Sequence, residues 1–514
     1  MADRHLEFAG DYDLAYVHIS NHKGQGRTQS LRGENITQMV IELNIFESIY
    51  NSSITGAIVI ADTSNLIGNL PIQGTERLFF KLSNKLVNNS FANTLDFTEK
   101  SGHALHIYKV TDRQQLNDNT QTYTLHFASR EFIRNQRLKV SESFSGRFDE
   151  AVYSIFKRPE YLDSKKKLYF QKTRNSDKVV VPNINPFDAI KMLAKRALPE
   201  SFRDKGVGYL FFETPRGFHF RSWESLCIGK NGKPREIKQK FRYAQLNMDS
   251  SGHEVLDKKG QPLNKIVEGF RNVESYKLLN STHDVAANTA LGTYGHTVIT
   301  HNLYDKSYKK DKYHYHNSFD DTGHADNNGG YGTESSYTTS NPMIVSSPVD
   351  YDLVEGDTRQ KGVSDYAESR VSLQATSQYT HGEDTGSYGI DVAQDGVLEG
   401  ERVSLANQLH SGTRLQLNIK GQAWLQAGDL IQFDMQTIEN RDTGSRFHRL
   451  DPQLSGRYVI SHIRHRVAGD QYRQVLECVK DSVVRSFGTT SKAYAEIAGE
   501  EKTSVTPSDI DNYA

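Results

Sequence analysis

The sequence predicts a mainly β protein of the α+β class: two related antiparallel β-barrels, a small α/β domain and an irregular insertion. Three observations carry that prediction. Apolar and polar residues alternate with the period of a half-buried strand in two separate stretches of the chain. A helical stripe followed by a tight hairpin lies between them. A run rich in Asn, Asp and Gly interrupts the second stretch.

The first β stretch begins after residues 1–32, which are polar and read as an arm or irregular lead-in. Met39, Ile41, Leu43 and Ile45 share one parity, with Glu42 and Asn44 on the other. Residues Ile54 to Ile60 are apolar on both faces, as in a buried strand. Leu78-Phe79-Phe80 follows a Gly74 turn. Leu105–Val110 and Tyr123–Phe127 form a closing hairpin around Asn117-Asp118-Asn119. Five strands at such short spacing suit an antiparallel barrel.

The middle of the chain changes period. Phe148, Ala151, Val152, Ile155 and Phe156 fall on one helical face. A second helix opens with Asn185 as candidate cap, Pro186 in the first turn and Asp188 at the positive end of the dipole. Its apolar face is Phe187, Ile190, Leu193, Ala194 and Ala197, and Pro199 stops it. The hairpin Tyr209–Glu213 and Phe218–Arg221 turns at Thr214-Pro215-Arg216-Gly217. Residues 301–400 have loop composition, with a helix expected over Leu398 to Leu409. Alternation returns at Leu415, Leu417 and Ile419. It continues through a Gly428-Asp429 turn into Leu430–Phe433 and ends in the hairpin Tyr458–Ile463 with Tyr472–Val479.

The resulting division assigns 1–140 to the arm and first barrel and 141–240 to the α/β domain. It gives 241–300 and 401–487 to a split second barrel, 301–400 to an insertion or extended arm, and 488–514 to a polar, acidic tail. The two β stretches also share an order. Each runs strand, glycine turn, apolar strand and closing hairpin, and Ile107-Tyr108-Lys109-Val110 matches Ile460-Ser461-His462-Ile463 in place. One barrel present twice is the natural reading of that repetition.

Composition narrows the function classes. At 514 residues, several domains are expected. Lys and Arg (62) balance Asp and Glu (63), which argues against a dedicated nucleic-acid binder. A mean hydropathy of -0.64 is polar for a globular chain. No apolar run approaches a membrane-spanning helix, and Met1-Ala2-Asp3-Arg4-His5 lacks the layout of a signal peptide. Cys227 and Cys478, far apart, read as buried reduced thiols. Charge is uneven: residues 157–240 hold twenty Lys/Arg against nine Asp/Glu, and residues 311–357 one Lys against nine Asp/Glu. These blocks are either complementary docking surfaces or two solvated faces.

No catalytic constellation emerges. His314, His316 and His324 lie in loop composition without a Cys or Glu at ligand spacing, and exposed loop histidines are the favoured reading. His462 and His465, three apart on a strand, face opposite sides. No nucleophile elbow, phosphate loop or zinc-protease motif is present. Catalytic, cofactor-binding and metal residues are therefore all expected to be absent.

Three runs of the sequence resemble the central hub family of contractile-tail baseplates, whose members include phage hubs, late-control proteins and type VI secretion spikes. One run is Asn183–Phe187 through Tyr209–Glu213 and Gly217–Phe220. Another is Leu417–Gly421 with Leu425–Ile431. The third is Ser455–Ile460 through His465, then Tyr472–Leu476. The resemblance implies a non-enzymatic structural protein of the virion, assembled in the host cytoplasm. It implies a homotrimer whose two barrels per subunit make a six-fold-like ring between the tail tube and the central spike. Implied partners are the spike, tube or tube-initiator proteins and other baseplate proteins, with no specific nucleic-acid sequence. The alternatives are a tail-associated peptidoglycan hydrolase or a tail protein of peripheral position, but no hydrolase module is visible.

Overall fold

The computed structural model describes residues 9–21, 33–70, 72–84, 94–174, 176–200, 207–229, 235–243, 269–279, 284–302, 306, 308–315, 318, 322–326, 367–376, 396–435, 451 and 454–482. The fold is mainly β with α+β character. The first half holds β1 (Tyr12–Ser20), β2 (Glu34–Asn35), β3 (Val40–Ser48), β4 (Thr55–Asp62), β5 (Arg77–Asn84), β6 (Thr94–Asp96), β7 (Leu105–Asn117) and β8 (Thr120–Ser129). An α/β unit follows, with β9 (Val140–Arg147), β10 (Leu168–Phe170), β11 (Ser176–Ile184), β12 (Tyr209–Thr214) and β13 (Gly217–Ser222). The second half opens with β14 (Gln239–Tyr243) and β15 (Val273–Leu279). A small three-stranded sheet of β16 (Gly295–Asn302), β17 (Tyr308–His314) and β18 (Val371–Thr376) intervenes. The second half then resumes with β19 (Thr413–Lys420), β20 (Leu430–Met435), β21 (Gly456–Ala468) and β22 (Gln471–Lys480).

Strand pairing refines the expectation of two antiparallel barrels, since no closed barrel is formed among the described residues. Among the described residues both halves belong to one continuous 14-stranded sheet. Each half curls around its own apolar core. Leu43, Ile58, Phe80, Ile107 and Phe127 fill the first, and Phe241, Leu417, Ile431, Tyr458 and Leu476 fill the second. Neither curl closes through a full ladder. In the first half the short β1–β2 pairing, a bond from Ile36 N to Val17 O at 2.9 Å and one from Val17 N to Thr37 Oγ1 at 3.2 Å bring β1 toward the start of β3. In the second half one parallel bridge, Arg242 to Asn272, brings β14 back to β15.

The α/β unit packs helix on sheet. Helix Phe148–Lys157 buries Phe148, Ala151, Val152, Ile155 and Phe156, the face its periodicity predicts. Helix Pro186–Ala194 begins at Pro186, but Asn185 does not cap it. Asn135, near the end of the earlier helix Arg130–Arg137, accepts from Phe187 N at 2.8 Å instead, so the cap is tertiary rather than local.

Three further sequence expectations need correction. Residues 12–20 are not an irregular lead-in: they form β1 and pair antiparallel with β5. Ile41 does not share the buried face of Leu43 and Ile45. A bulge between Val40 and Glu42 turns it outward, 47 % exposed. Residues 301–400 are not wholly loop. They contribute the end of β16, all of β17 and β18 and the start of helix Gly396–Ser411. Residues 327–366 and 377–395 lie outside the described residues, as does the 488–514 tail, so most of the acidic block is not placed.

Candidate assembly interface

The two halves are the same strand pattern used twice. In the first, the pairing order is β3-β4-β8-β7-β5. In the second it is β15-β19-β22-β21-β20, antiparallel at every step in both. The registers also agree. In the closing hairpins Ile107 lies opposite Phe127 and Lys109 opposite His126, and correspondingly Ile460 lies opposite Cys478 and His462 opposite Glu477. Both hairpins therefore carry a bulge at the same place, Tyr108 in one and Ser461 in the other. At the other flank the bulge between Val40 and Glu42 has its counterpart between Val273 and Ser275. A bulge is a local irregularity, so two matched bulges are far more specific than matched strand order.

The glycine turns match as well. Gly74 and Gly428 both have positive φ, at 98° and 83°. Each is followed by an acid that binds its own turn. Glu76 accepts from the amides of Gln73, Gly74 and Thr75, and Asp429 accepts from Gln426 N. The carbonyls of those acids then receive the amides of the matched isoleucines, Ile107 to Glu76 and Ile460 to Asp429, both at 2.9 Å. The sixth strand differs, since β1 joins β5 antiparallel whereas β14 joins β20 parallel, and β2 and β6 have no counterpart among the described strands of the second half.

One joint fuses the halves. β21 leaves β20 after Val459 and pairs from His462 to Ala468 with β3, antiparallel. A buried polar chain lies across this joint. His465 sits 2.8 Å from Glu47 through Nε2 and 2.7 Å from Tyr472 Oη through Nδ1, and Gln474 Nε2 donates to the same hydroxyl at 3.1 Å. The network assigns the tautomer: Nε2–H donates to the carboxylate, and Nδ1 accepts from the tyrosine. Outside, Arg466 and Arg464 both bridge to Glu42.

Two more polar clusters fix the α/β unit and the loop 322–326. Lys166 bridges Glu131 at 2.9 Å and Glu213 at 2.5 Å, and Glu213 also accepts from Ile54 N at 2.9 Å, tying this unit to β4. Burial pulls the Lys166 ammonium down, but the two carboxylates outweigh it and hold it above its ordinary value. Asp481 accepts from Trp223 Nε1 at 2.8 Å and Ala325 N at 3.0 Å, with His324 Nδ1 at 3.1 Å. Burial pushes Asp326 up to about 6, although it accepts from Arg457 N at 2.6 Å.

These placements settle several sequence readings. His324 is buried rather than exposed, and its role is to pin a loop to Asp481. His314 caps the end of β17, and His316 lies outside the described residues. His462 and His465 do face opposite sides: His462 is partly exposed beside Glu477, and His465 is fully buried. Cys227 and Cys478 are both free and buried, as expected. Among the described residues no group of three potential ligands could hold a metal ion.

No protein-family model and no curated relative matches the chain. Solved structures do resemble it. A tail protein from Neisseria meningitidis aligns over 92% of this chain and 97% of its own, at 9% identity and a TM-score of 0.46. A 43 kDa prophage tail protein from Shewanella oneidensis aligns over 91% and 98%, at 9% identity and a TM-score of 0.44. An E. coli component of the type VI secretion system aligns over 86% and 73%, at 7% identity and a TM-score of 0.37. Likenesses of this degree assign no function.

Proposed function

We propose that the chain is a non-enzymatic structural hub of a contractile-tail baseplate, a homotrimer that joins the tail tube to the central spike. The observation that carries this reading is the duplicated strand pattern, matched in order, register and bulge position. Two equivalent halves per chain give a trimer six nearly equivalent positions. Such a ring presents six docking sites to a six-fold tube and three to a three-fold spike. The sequence runs at Leu417–Ile431 and Ser455–Leu476, which resemble the hub family, fall on β19 to β22 of this pattern. Native mass spectrometry of the protein, alone and with its cognate spike, tests the proposal: the expected mass is three chains in at least one of the two samples. Cryo-electron microscopy of the whole tail is expected to place three copies between spike and tube. Six copies, or a peripheral position, would remove the assignment.

A further inference from the structure

The duplicated pattern contains one contact in one half that is unmet in the other. In the second half, β21 pairs through Phe433–Gly456 to Leu430–Val459 with β20, then runs on to pair with β3. In the first half, β7 begins the same way: Leu105 and His106 pair with β5. Its continuation, Lys109 to Asn117, has β8 on one edge and, among the described residues, nothing on the other. The strand that matches β3 is β15. It pairs with β19 along one edge, and its other edge is open from Glu274 to Leu279 among the described residues. One chain therefore carries one filled joint, β21 on β3, and the two unfilled halves of a second, β7 and β15.

We propose that β7 of one chain pairs antiparallel with β15 of a second copy, repeating between chains the joint that β21 and β3 make within one. This deepens the hub reading and rests on it. The contact is head to tail. The first half of one chain reaches the second half of the next, so joints within and between chains alternate around a closed ring. The register follows from the internal match. Arg464 lies opposite Phe46 in the filled joint. Arg464 corresponds to Thr111 through the hairpin alignment, and Phe46 to Leu279 through the β3–β15 alignment. Thr111 of one chain is thus expected opposite Leu279 of the next.

The exposed side chains agree with an edge that awaits a strand. Leu116 on β7 is 63 % exposed, and Leu278 on β15 is 39 % exposed, although both stand on ordered strands. Through the same hairpin alignment the buried Ile463 matches Val110, His465 falls at the bulge of Asp112 and Arg113, and the buried Val467 matches Gln115. These β7 positions are more polar, and a second bulge follows Thr111. The joint between chains is therefore held mainly by main-chain hydrogen bonds, and it lacks the buried polar chain of the joint within the chain.

Full-length chains that each carry one added cysteine test this, because the two native thiols are buried. Thr111→Cys chain is mixed with Leu279→Cys chain under mild oxidation, and covalent dimer is followed on non-reducing gels, with sedimentation of the same samples. Thr111→Cys mixed with Lys277→Cys, on the same face but two residues out of register, is the control. Disulfide geometry tolerates little displacement, so the expected rate for the first pair is at least about tenfold above the control. Equal rates in a sample that sediments as trimer would overturn the pairing and leave the hub reading standing. Monomer throughout, with no covalent product even when spike is added, would overturn both.

Discussion

His465 Nε2 on β21 lies 2.8 Å from Glu47 Oε1 on β3, and neither side chain is reached by solvent. The two residues belong to different halves of the duplicated pattern, so their contact spans the joint that makes one sheet of them. Glu47 has a second duty, accepting from Ala427 N at 3.2 Å beside the Gly428 turn. Glu47→Ala leaves the imidazole N–H and that amide without an acceptor in a dry site, and at about 1–3 kcal/mol for each unsatisfied donor a loss of about 2–6 kcal/mol is expected. Glu47→Gln keeps an acceptor oxygen and is expected to cost about 1–2 kcal/mol. Guanidinium unfolding of the two variants checks the order. Equal losses would mean that shape, not hydrogen bonding, holds the joint.

Lys166 supplies one ammonium to two buried carboxylates. Replacing it with Met removes the charge and keeps much of the volume, leaving Glu131 and Glu213 to repel each other out of water. The expected loss is about 3–5 kcal/mol at pH 8. The sign of its pH dependence follows from linkage. Without the ammonium, burial raises both carboxyl groups in the folded state, so the folded chain binds protons more tightly than the unfolded one. The penalty is therefore relieved as pH falls and grows as pH rises. Unfolding of Lys166→Met at pH 5 and pH 8, each against the parent, measures the difference. A pH-independent loss would assign it to packing alone.

How much of this was legible in the sequence depends on range. The hairpins, the glycine turns and the repeated order are local patterns, and Ile107 and Ile460 aligned by position alone. β1 escaped notice because its alternation is broken: Tyr16 has φ of 57°, and the register with β5 shifts between Ala15 and His18. The Glu47–His465 contact joins residues 418 apart, which no local pattern encodes. A signal was nevertheless present. Glu47 shares parity with the inward Leu43 and Ile45, and His465 with the inward Ile463 and Val467. Lone polar residues on two inward faces are a hint of buried partners. The Asn185 cap failed for the opposite reason, since Asn135 from another element took the role.

Gly74 and Gly428 occupy matched turns in a backbone region that side chains enter at a cost. Alanine at either is expected to destabilise by about 1–2 kcal/mol. The loss at 428 should be the larger. A Cβ there would meet Phe212 Cζ at 3.0 Å, whereas at 74 the first contact is Tyr108 O at 3.2 Å. The turns lie in different halves, so the double variant is expected to sum the single losses within about 0.5 kcal/mol. Thermal or denaturant unfolding of the three variants decides this. A large departure from additivity would mean that the halves communicate through the β21–β3 joint.

Asp326 gives the sharpest test of buried charge. Burial raises its carboxyl to about 6, against the help of Lys480 and of Arg457, whose amide it accepts. In the unfolded chain an aspartate titrates near about 3.9. The folded state therefore holds this proton more tightly. Its stabilising effect is complete below about pH 4 and is lost as pH rises through about 6. Asn at this position keeps an oxygen for Arg457 N and never ionises. The variant is expected to gain on the parent as pH rises from 4 to 7, by about 3 kcal/mol for a two-unit shift. Above pH 7 no further gain is expected, since both the folded and the unfolded carboxyl groups are then charged. Unfolding free energies of Asp326→Asn and parent, taken at half-unit steps from pH 4 to 8, supply the curve. A flat difference across that range would show that the carboxyl titrates in the folded chain as it does in water. A difference of opposite slope would mean that Lys480 and Arg457 outweigh the burial.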